Sequence, residues 1–297
     1  MKYLALLLGL TVLSAQEPVF KVDVHLVRLL ATVKNDAGDL VGSLEAKDFT
    51  VSDNGVSQRI AVFEHQTTQP LSVALLIDTS ASTAKDLKYE TASIVKFLNA
   101  LVEEGNPDDA ASLYSFNDQV TLVNSFTRRT SRIEENLKFL KADGGTSLYD
   151  AIYLASPALR DRDGRHVIVA VTDGGDTTSS KKFADSLDAA QKADAVVYPI
   201  VVVPITNPAG RNTGGEHALE TLAASTGGRT FYPSVGAQLD RAFTEILRDL
   251  RTQYLIGYYP RGVPTGDGKF HTVRLEIPKR KDLRISTRTG YYGEVSR

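Results

Sequence analysis

The sequence predicts an α/β fold: a mostly parallel, doubly wound (Rossmann-like) sheet inserted into an all-β sandwich built from both ends of the chain. Three observations predict it. Two short apolar runs, Ser72–Ile77 and His166–Thr172, each stop at an aspartate, as strands buried on both faces do where they hand over to a loop and helix. From about residue 71 to residue 250, strand-like and helix-like patterns alternate, the texture of a parallel sheet covered on both sides. The stretches on either side of it are β in texture, and each alone is too small to bury an adequate core.

Taken in order, Met1–Ala15 has one basic residue, an apolar run and small residues, the pattern of a secretory signal peptide cut near Ala15. No cysteine follows it, so a lipoprotein anchor is unavailable. The rest of the chain lacks an apolar stretch long enough for a transmembrane helix. The mature protein is therefore expected to be exported, periplasmic or secreted. Residues 18–69 form the first β segment: Phe20–Val27 alternates apolar and polar residues, and Asp48–Ser52 with Arg59–Phe63 flank the hairpin turn Asp53-Asn-Gly55.

Residues 70–250 carry the α/β texture. After the Ser72–Ile77 strand, Leu87, Ile94, Val95, Leu98, Leu101 and Val102 fall on one helical face. Ala110–Phe116 and Val120–Val123 read as strands, and Ile133–Leu140 and Leu148–Leu159 as helices. The second buried strand ends at Asp173-Gly-Gly175, then come a helix over Phe183–Lys192, a strand over Val196–Val203 and a helix over Glu216–Ser225. A short strand at Arg229–Tyr232 and a last helix, Gly236–Leu250, close the stretch. Residues 251–297 return to β through Tyr254–Tyr259, Thr272–Ile277 and Leu283–Thr287, completing the sandwich. Alternation places the tyrosines Tyr254, Tyr258, Tyr259, Tyr291 and Tyr292 in the sandwich core or over its edge.

Composition narrows the function. Lys plus Arg is 34 and Asp plus Glu is 36, a net charge of −2 that offers no electrostatic case for nucleic acid. With no cysteine, disulfides, zinc–thiolate sites and a cysteine nucleophile are excluded. The chemistry gathers at the end of the first buried strand, where Asp78, Ser80 and Ser82 present oxygen at alternate positions. Ligands bind at the carboxyl ends of parallel strands, and hard oxygen donors suit Mg2+, Mn2+ or Ca2+. Two further element boundaries carry hard oxygen groups, Thr146 in Gly144-Gly-Thr-Ser147 and Asp173 in Val171-Thr-Asp-Gly174.

Together these five positions resemble the metal-ion-dependent adhesion site of von Willebrand factor type A domains: Asp-x-Ser-x-Ser, a later Thr, and an Asp after a later strand. The resemblance covers roughly Leu71–Leu250. The flanking β segments, with Leu44–Gly55, Gln253–Tyr259 and Arg288–Tyr292, are similar to an exported, largely uncharacterised family known mostly from acidobacteria. The resemblance implies that Ser80, Ser82 and Thr146 bind a divalent cation directly, Mg2+ foremost, and that Asp78 and Asp173 bind it directly or through water. One coordination position would then remain for an Asp or Glu carboxylate of a partner protein. It also implies a switch between water-mediated and direct binding by Asp173, with Gly236–Leu250 as the moving helix. Ser147 and Asp150 are assigned instead to capping and dipole contacts at the next helix, and Asp176 to a solvated loop in preference to a place behind the metal ligands.

The rival classes fare less well. There is no Gly-x-Ser-x-Gly elbow for a hydrolase. The five histidines, His25, His65, His166, His217 and His271, form no zinc motif, and the paired glycines lack a P-loop lysine. His166 opens a buried strand and reads as packed. The expectation is a non-enzymatic, metal-dependent binding and adhesion module. The alternative is a structural or assembly subunit of an envelope complex, in which the metal only braces loops.

Overall fold

The computed structural model describes residues 26–65, 68–203, 213–264, 266 and 268–293. The expected signal peptide and the start of the strand from Phe20 lie outside them. The first strands are β1 (Val27–Asn35), β2 (Thr50–Asp53), β3 (Val56–Gln58) and β4 (Ile60–His65). β2 and β3 form a hairpin over Asn54 and Gly55, at φ 47° and 82°, the left-handed backbone that a two-residue turn needs. The sequence pattern assigns Arg59–Phe63 as the second arm. The tight turn instead sets Val56 directly opposite Asp53, so Val56–Gln58 pairs and the chain crosses to the other sheet as β4.

The α/β layer comprises β5 (Leu71–Asp78), α1 (Leu87–Glu103), β6 (Ala110–Phe116), β7 (Val120–Thr127), α2 (Thr130–Leu137) and α3 (Leu148–Arg160). It continues through β8 (Arg165–Thr172), α4 (Phe183–Lys192), β9 (Ala195–Val201), α5 (Thr213–Thr226) and α6 (Ala237–Arg251). Its five strands lie in the order β7-β6-β5-β8-β9, all parallel except the edge strand β7. Every residue of β5 and β8 is buried, as the continuous apolar runs require. The two-residue strand period divides them between two cores. Leu71, Val73, Leu75 and Ile77 pack with Phe97 and Leu98 of α1 and Phe243 and Ile246 of α6. Ala74 and Leu76 pack with Leu148, Ile152 and Leu159 of α3 on the other face.

The Arg229–Tyr232 strand of the sequence reading reduces to one parallel bridge, Ile200 to Phe231. Pro199 within β9 offers no N–H toward Arg229, so the pairing stops on that side, while on the other the Val203 amide still donates to the Pro233 carbonyl at 2.8 Å. The tail supplies β10 (Tyr254–Tyr258), β11 (Phe270–Glu276), β12 (Leu283–Ser286) and β13 (Gly290–Tyr292). Two four-stranded sheets result, β12-β1-β10-β4 and β13-β11-β2-β3, each using both ends of the chain. Leu29, Ala31, Val51, Tyr254, Ile256, Tyr258 and Leu275 fill the core between them. Tyr259, by contrast, is exposed. The α/β layer leaves the sandwich after β4 and returns at β10, and these two strands are antiparallel neighbours, so the insertion begins and ends at one place.

Candidate metal centre

From β5 the chain is laid out in both directions, to β6 on one side and β8 on the other. The crevice at the carboxyl ends of strands at such a switch point is where open α/β sheets bind ligands. Asp78 ends β5 and Asp173 follows β8, so parallel pairing alone brings the two carboxylates to one edge. Thr172 donates its hydroxyl to Asp78 Oδ2 at 2.6 Å, and the Ser80 amide donates to Asp78 Oδ1 at 2.8 Å. The hydroxyls of Ser80 and Ser82 share a hydrogen bond of 3.0 Å, and Ser82 donates to Asp173 Oδ1 at 3.1 Å. The chain of oxygens thus runs from fully buried Asp78, past buried Ser80, to exposed Ser82. It opens to solvent at one end only.

Thr146 sits on a third loop that is stitched to the other two. The Ala81 amide donates to the Gly144 carbonyl (3.1 Å) and the Asp143 amide to the Thr79 carbonyl (2.9 Å). Thr177 Oγ1 accepts from the Thr146 amide at 2.9 Å. Among the described residues none hydrogen-bonds to the Thr146 hydroxyl, and the residue is only 6% exposed. The tight approach explains the paired glycines. Gly144 has φ +72°, and a Cβ on it would lie 2.2 Å from Asp118 Oδ2, while the Gly145 amide donates to Asp118 Oδ1. Gly174 has no such neighbour.

Two expectations need correction. Ser147 occupies the N-cap position of α3, but its hydroxyl bonds Thr178 Oγ1 at 2.9 Å and caps nothing. Asp150 stands in the first turn of α3, as the dipole reading expects, and its carboxylate also accepts from the amides of Ser180 and Lys181, holding the following loop. The cap comes from Asp176, read as solvated, which accepts from the Tyr149 amide at 3.1 Å. Fold closure put a residue of another loop where the local sequence offered Ser147. His166 is packed as expected, each ring nitrogen against a carbonyl, of Ala193 and Arg162.

Electrostatically the site is starved of positive charge. Burial pushes the Asp78 carboxyl up to about 6, against hydrogen bonds from Thr172 and Ser80 that pull it down, and Asp173 adds to the rise. Burial likewise raises Asp173, opposed by the Ser82 bond. A further acid, which the sequence reading passed over, lies nearby. Glu90 of α1 is 0% exposed, and among the described residues neither carboxyl oxygen has a hydrogen-bond partner. Burial, then Asp78, Asp173 and Asp86, push it up to about 8. The signal for it was an acid at the i+3 position of the apolar stripe that begins at Leu87.

Among the described residues no three His, Asp or Glu side chains converge closely enough to ligate an ion by themselves, so a cation here would depend on hydroxyl oxygens. The donor set fits a hard divalent ion: the three hydroxyls of Ser80, Ser82 and Thr146, the carboxylates of Asp78 and Asp173, and an orphaned buried acid close by.

Residues 73–175 match the family model of the von Willebrand factor type A domain. Among solved structures, a point mutant of the PilB minor pilin from Streptococcus sanguinis aligns at 16% identity and TM-score 0.50, over 63% of this chain and 62% of the pilin. The chain thus spans less than two thirds of that pilin. The vWF domain of the type V pili tip protein Mfa5 from Porphyromonas gingivalis aligns at 14% identity and TM-score 0.51, over 61% of this chain and 95% of that domain. At these identities the likeness is one of fold. No curated protein matches the sequence.

Proposed function

We propose that this chain, which carries a von Willebrand factor type A domain, is an exported module that captures a protein partner through a divalent cation, Mg2+ foremost, with Mn2+ or Ca2+ as the other candidates. One observation carries the reading: hydrogen bonds link Asp78, Ser80, Ser82 and Asp173 in series at the sheet's switch point, with the Thr146 hydroxyl, unbonded among the described residues, on the adjoining loop. Ser80, Ser82 and Thr146 would hold the ion by neutral oxygens, and Asp78 and Asp173 directly or through water. Held so, the cation supplies a coordination position that a partner's Asp or Glu carboxylate can fill. The exposed end at Ser82 is the side from which that carboxylate enters. The leader-like pattern of Met1–Ala15 supports export; among the described residues no helix is long and apolar enough to cross a membrane. Domains of like fold occur in a minor pilin and in a pili tip protein, which is in keeping with a protein partner.

The test is calorimetric titration of Mg2+, Mn2+ and Ca2+ into the mature protein, with Asp78→Ala beside it. One saturable site, lost in the variant, is expected. A wild type that takes up no cation refutes the reading. The second reading, an assembly subunit whose metal braces loops, draws on one observation. The carboxyl end of α6, the helix that moves in the switch implied by the resemblance, is pinned: Lys34 of β1 and Arg229 both pair with buried Asp249, at 2.8 Å each. Under that reading cation removal lowers stability but leaves partner capture intact.

A further inference from the structure

We propose that Glu90 is a further acidic residue of the cation site, acting at one remove as the acceptor for water carried by an ion held at Asp78, Ser80, Ser82, Thr146 and Asp173. The inference rests on the cation reading above and extends it to a residue outside the adhesion-site pattern.

The first ground is the cost of the residue as it stands. Glu90 is fully buried, and both carboxyl oxygens lack a hydrogen-bond partner among the described residues. Buried polar groups are nearly always hydrogen-bonded, and an orphaned pair of oxygens calls for a water or an ion. Nothing local explains it. Glu90 occupies the inward stripe of α1 with Leu87, Ile94, Phe97, Leu98 and Leu101, where an apolar side chain would pack without penalty. Among the described residues no Lys or Arg forms an ion pair with it; the charges acting on it most strongly are those of Asp78, Asp173 and Asp86, all acidic. An acid buried among acids raises the affinity of the place for a cation and serves no evident structural end.

The second ground is position. α1 starts one loop beyond Ser82, and the Glu90 amide bonds the Asp86 carbonyl at 3.0 Å, so the residue lies one turn into the helix that carries the loop. Its role must be indirect, because among the described residues three acidic side chains do not converge into a direct cage. Mg2+ and Mn2+ keep several waters when bound, and those waters need acceptors. Groups that orient metal-bound ligands in this manner commonly change affinity 10–100-fold when removed.

The experiment compares wild type, Glu90→Gln and Glu90→Met, each first in chelator and then titrated with Mn2+ by calorimetry. Methionine keeps the length and helix preference of glutamate and needs no partner. The expected result is a pair of opposite changes. The metal-free Met variant melts no lower than wild type, and both variants bind Mn2+ about tenfold more weakly, with a smaller cation-induced rise in Tm. A Met variant that melts lower without metal would make Glu90 a structural residue. Unchanged Mn2+ affinity in both variants would likewise overturn the proposal, and with Asp78→Ala still abolishing binding it would leave the cation reading intact. Absence of Mn2+ binding by the wild type would overturn both.

Discussion

Two carboxylates in this molecule are buried to the same degree and treated in opposite ways. Asp53, in the sandwich, is 0% exposed and is surrounded by donors: the hydroxyls of Tyr258 (3.0 Å) and Tyr291 (2.7 Å) and Nδ1 of His271 (2.9 Å). The three donors come from the chain end opposite to Asp53, so the network ties together the halves of the sandwich. Glu90, in the α/β layer, is equally buried and has no hydrogen-bond partner among the described residues. A fold that assembles three donors around one acid and none around another is not short of means. The contrast indicates that Asp53 is held for the sake of the sandwich, whereas Glu90 is held for something outside the chain's own hydrogen bonding.

The largest expected effect falls on the satisfied acid. Asp53→Ala strands three donors in a core, and losing the central partner of a buried network is expected to cost about 3 kcal/mol or more. Urea denaturation measures it, with cation affinity of the folded fraction unchanged. A loss below about 1 kcal/mol would break the comparison, since Asp53 would then be no better integrated than Glu90.

The next effect is on pH dependence in chelator. The folded state holds the Glu90 carboxyl up at about 8, above its ordinary 4.5, through burial first and then Asp78, Asp173 and Asp86. A raised acid binds more protons folded than unfolded, so its contribution is intact below about 4.5 and is lost as pH rises through about 8. Each unit of raised pKa is about 1.4 kcal/mol, so a fall of a few kcal/mol across that window is expected. Asp78, raised to about 6, adds its own fall at lower pH. Denaturation midpoints between pH 6.5 and 9 follow the fall above the Asp78 range, and Glu90→Met is expected to flatten that stretch. An equal slope in the variant would assign the fall to another group.

Much of the arrangement was legible in the sequence wherever burial imposes a pattern. Ser72–Ile77 and His166–Thr172 read as doubly buried strands because no polar face interrupts them, and both lie in the sheet's centre. The gathering of Asp78, Ser80, Ser82 and Asp173 at one edge follows from parallel pairing once those strands are recognised. What escaped was set by closure over distance. Asp176 caps α3 from another loop, and Asp53 collects donors from residues some 200 positions away, neither of which has a local signature. The hairpin partner of β2 was misassigned because Val56–Gln58 is too short to show alternation, and β13 went unread for the same reason. Glu90 was hidden differently. A helical stripe is judged by its apolar members, and the acid within it was passed over as a gap.

Asp176 offers the finest test, because it stands between the two extremes. It lies beside the candidate centre, as Glu90 does, yet its carboxylate is occupied, accepting from the Tyr149 amide, the Ser179 hydroxyl (2.5 Å) and the Ser179 amide (3.4 Å). If satisfaction within the chain separates structural acids from those held for a cation, Asp176→Ala must behave like a small version of Asp53→Ala. Loss of a helix cap predicts about 1 kcal/mol of destabilisation by thermal melting in chelator. Mn2+ affinity should stay within about twofold of wild type, since an exposed-side cap contributes no donor to the ion. A tenfold loss of affinity without loss of stability would show that proximity, not satisfaction, decides which acids serve the site, and Glu90 would then need no explanation of its own.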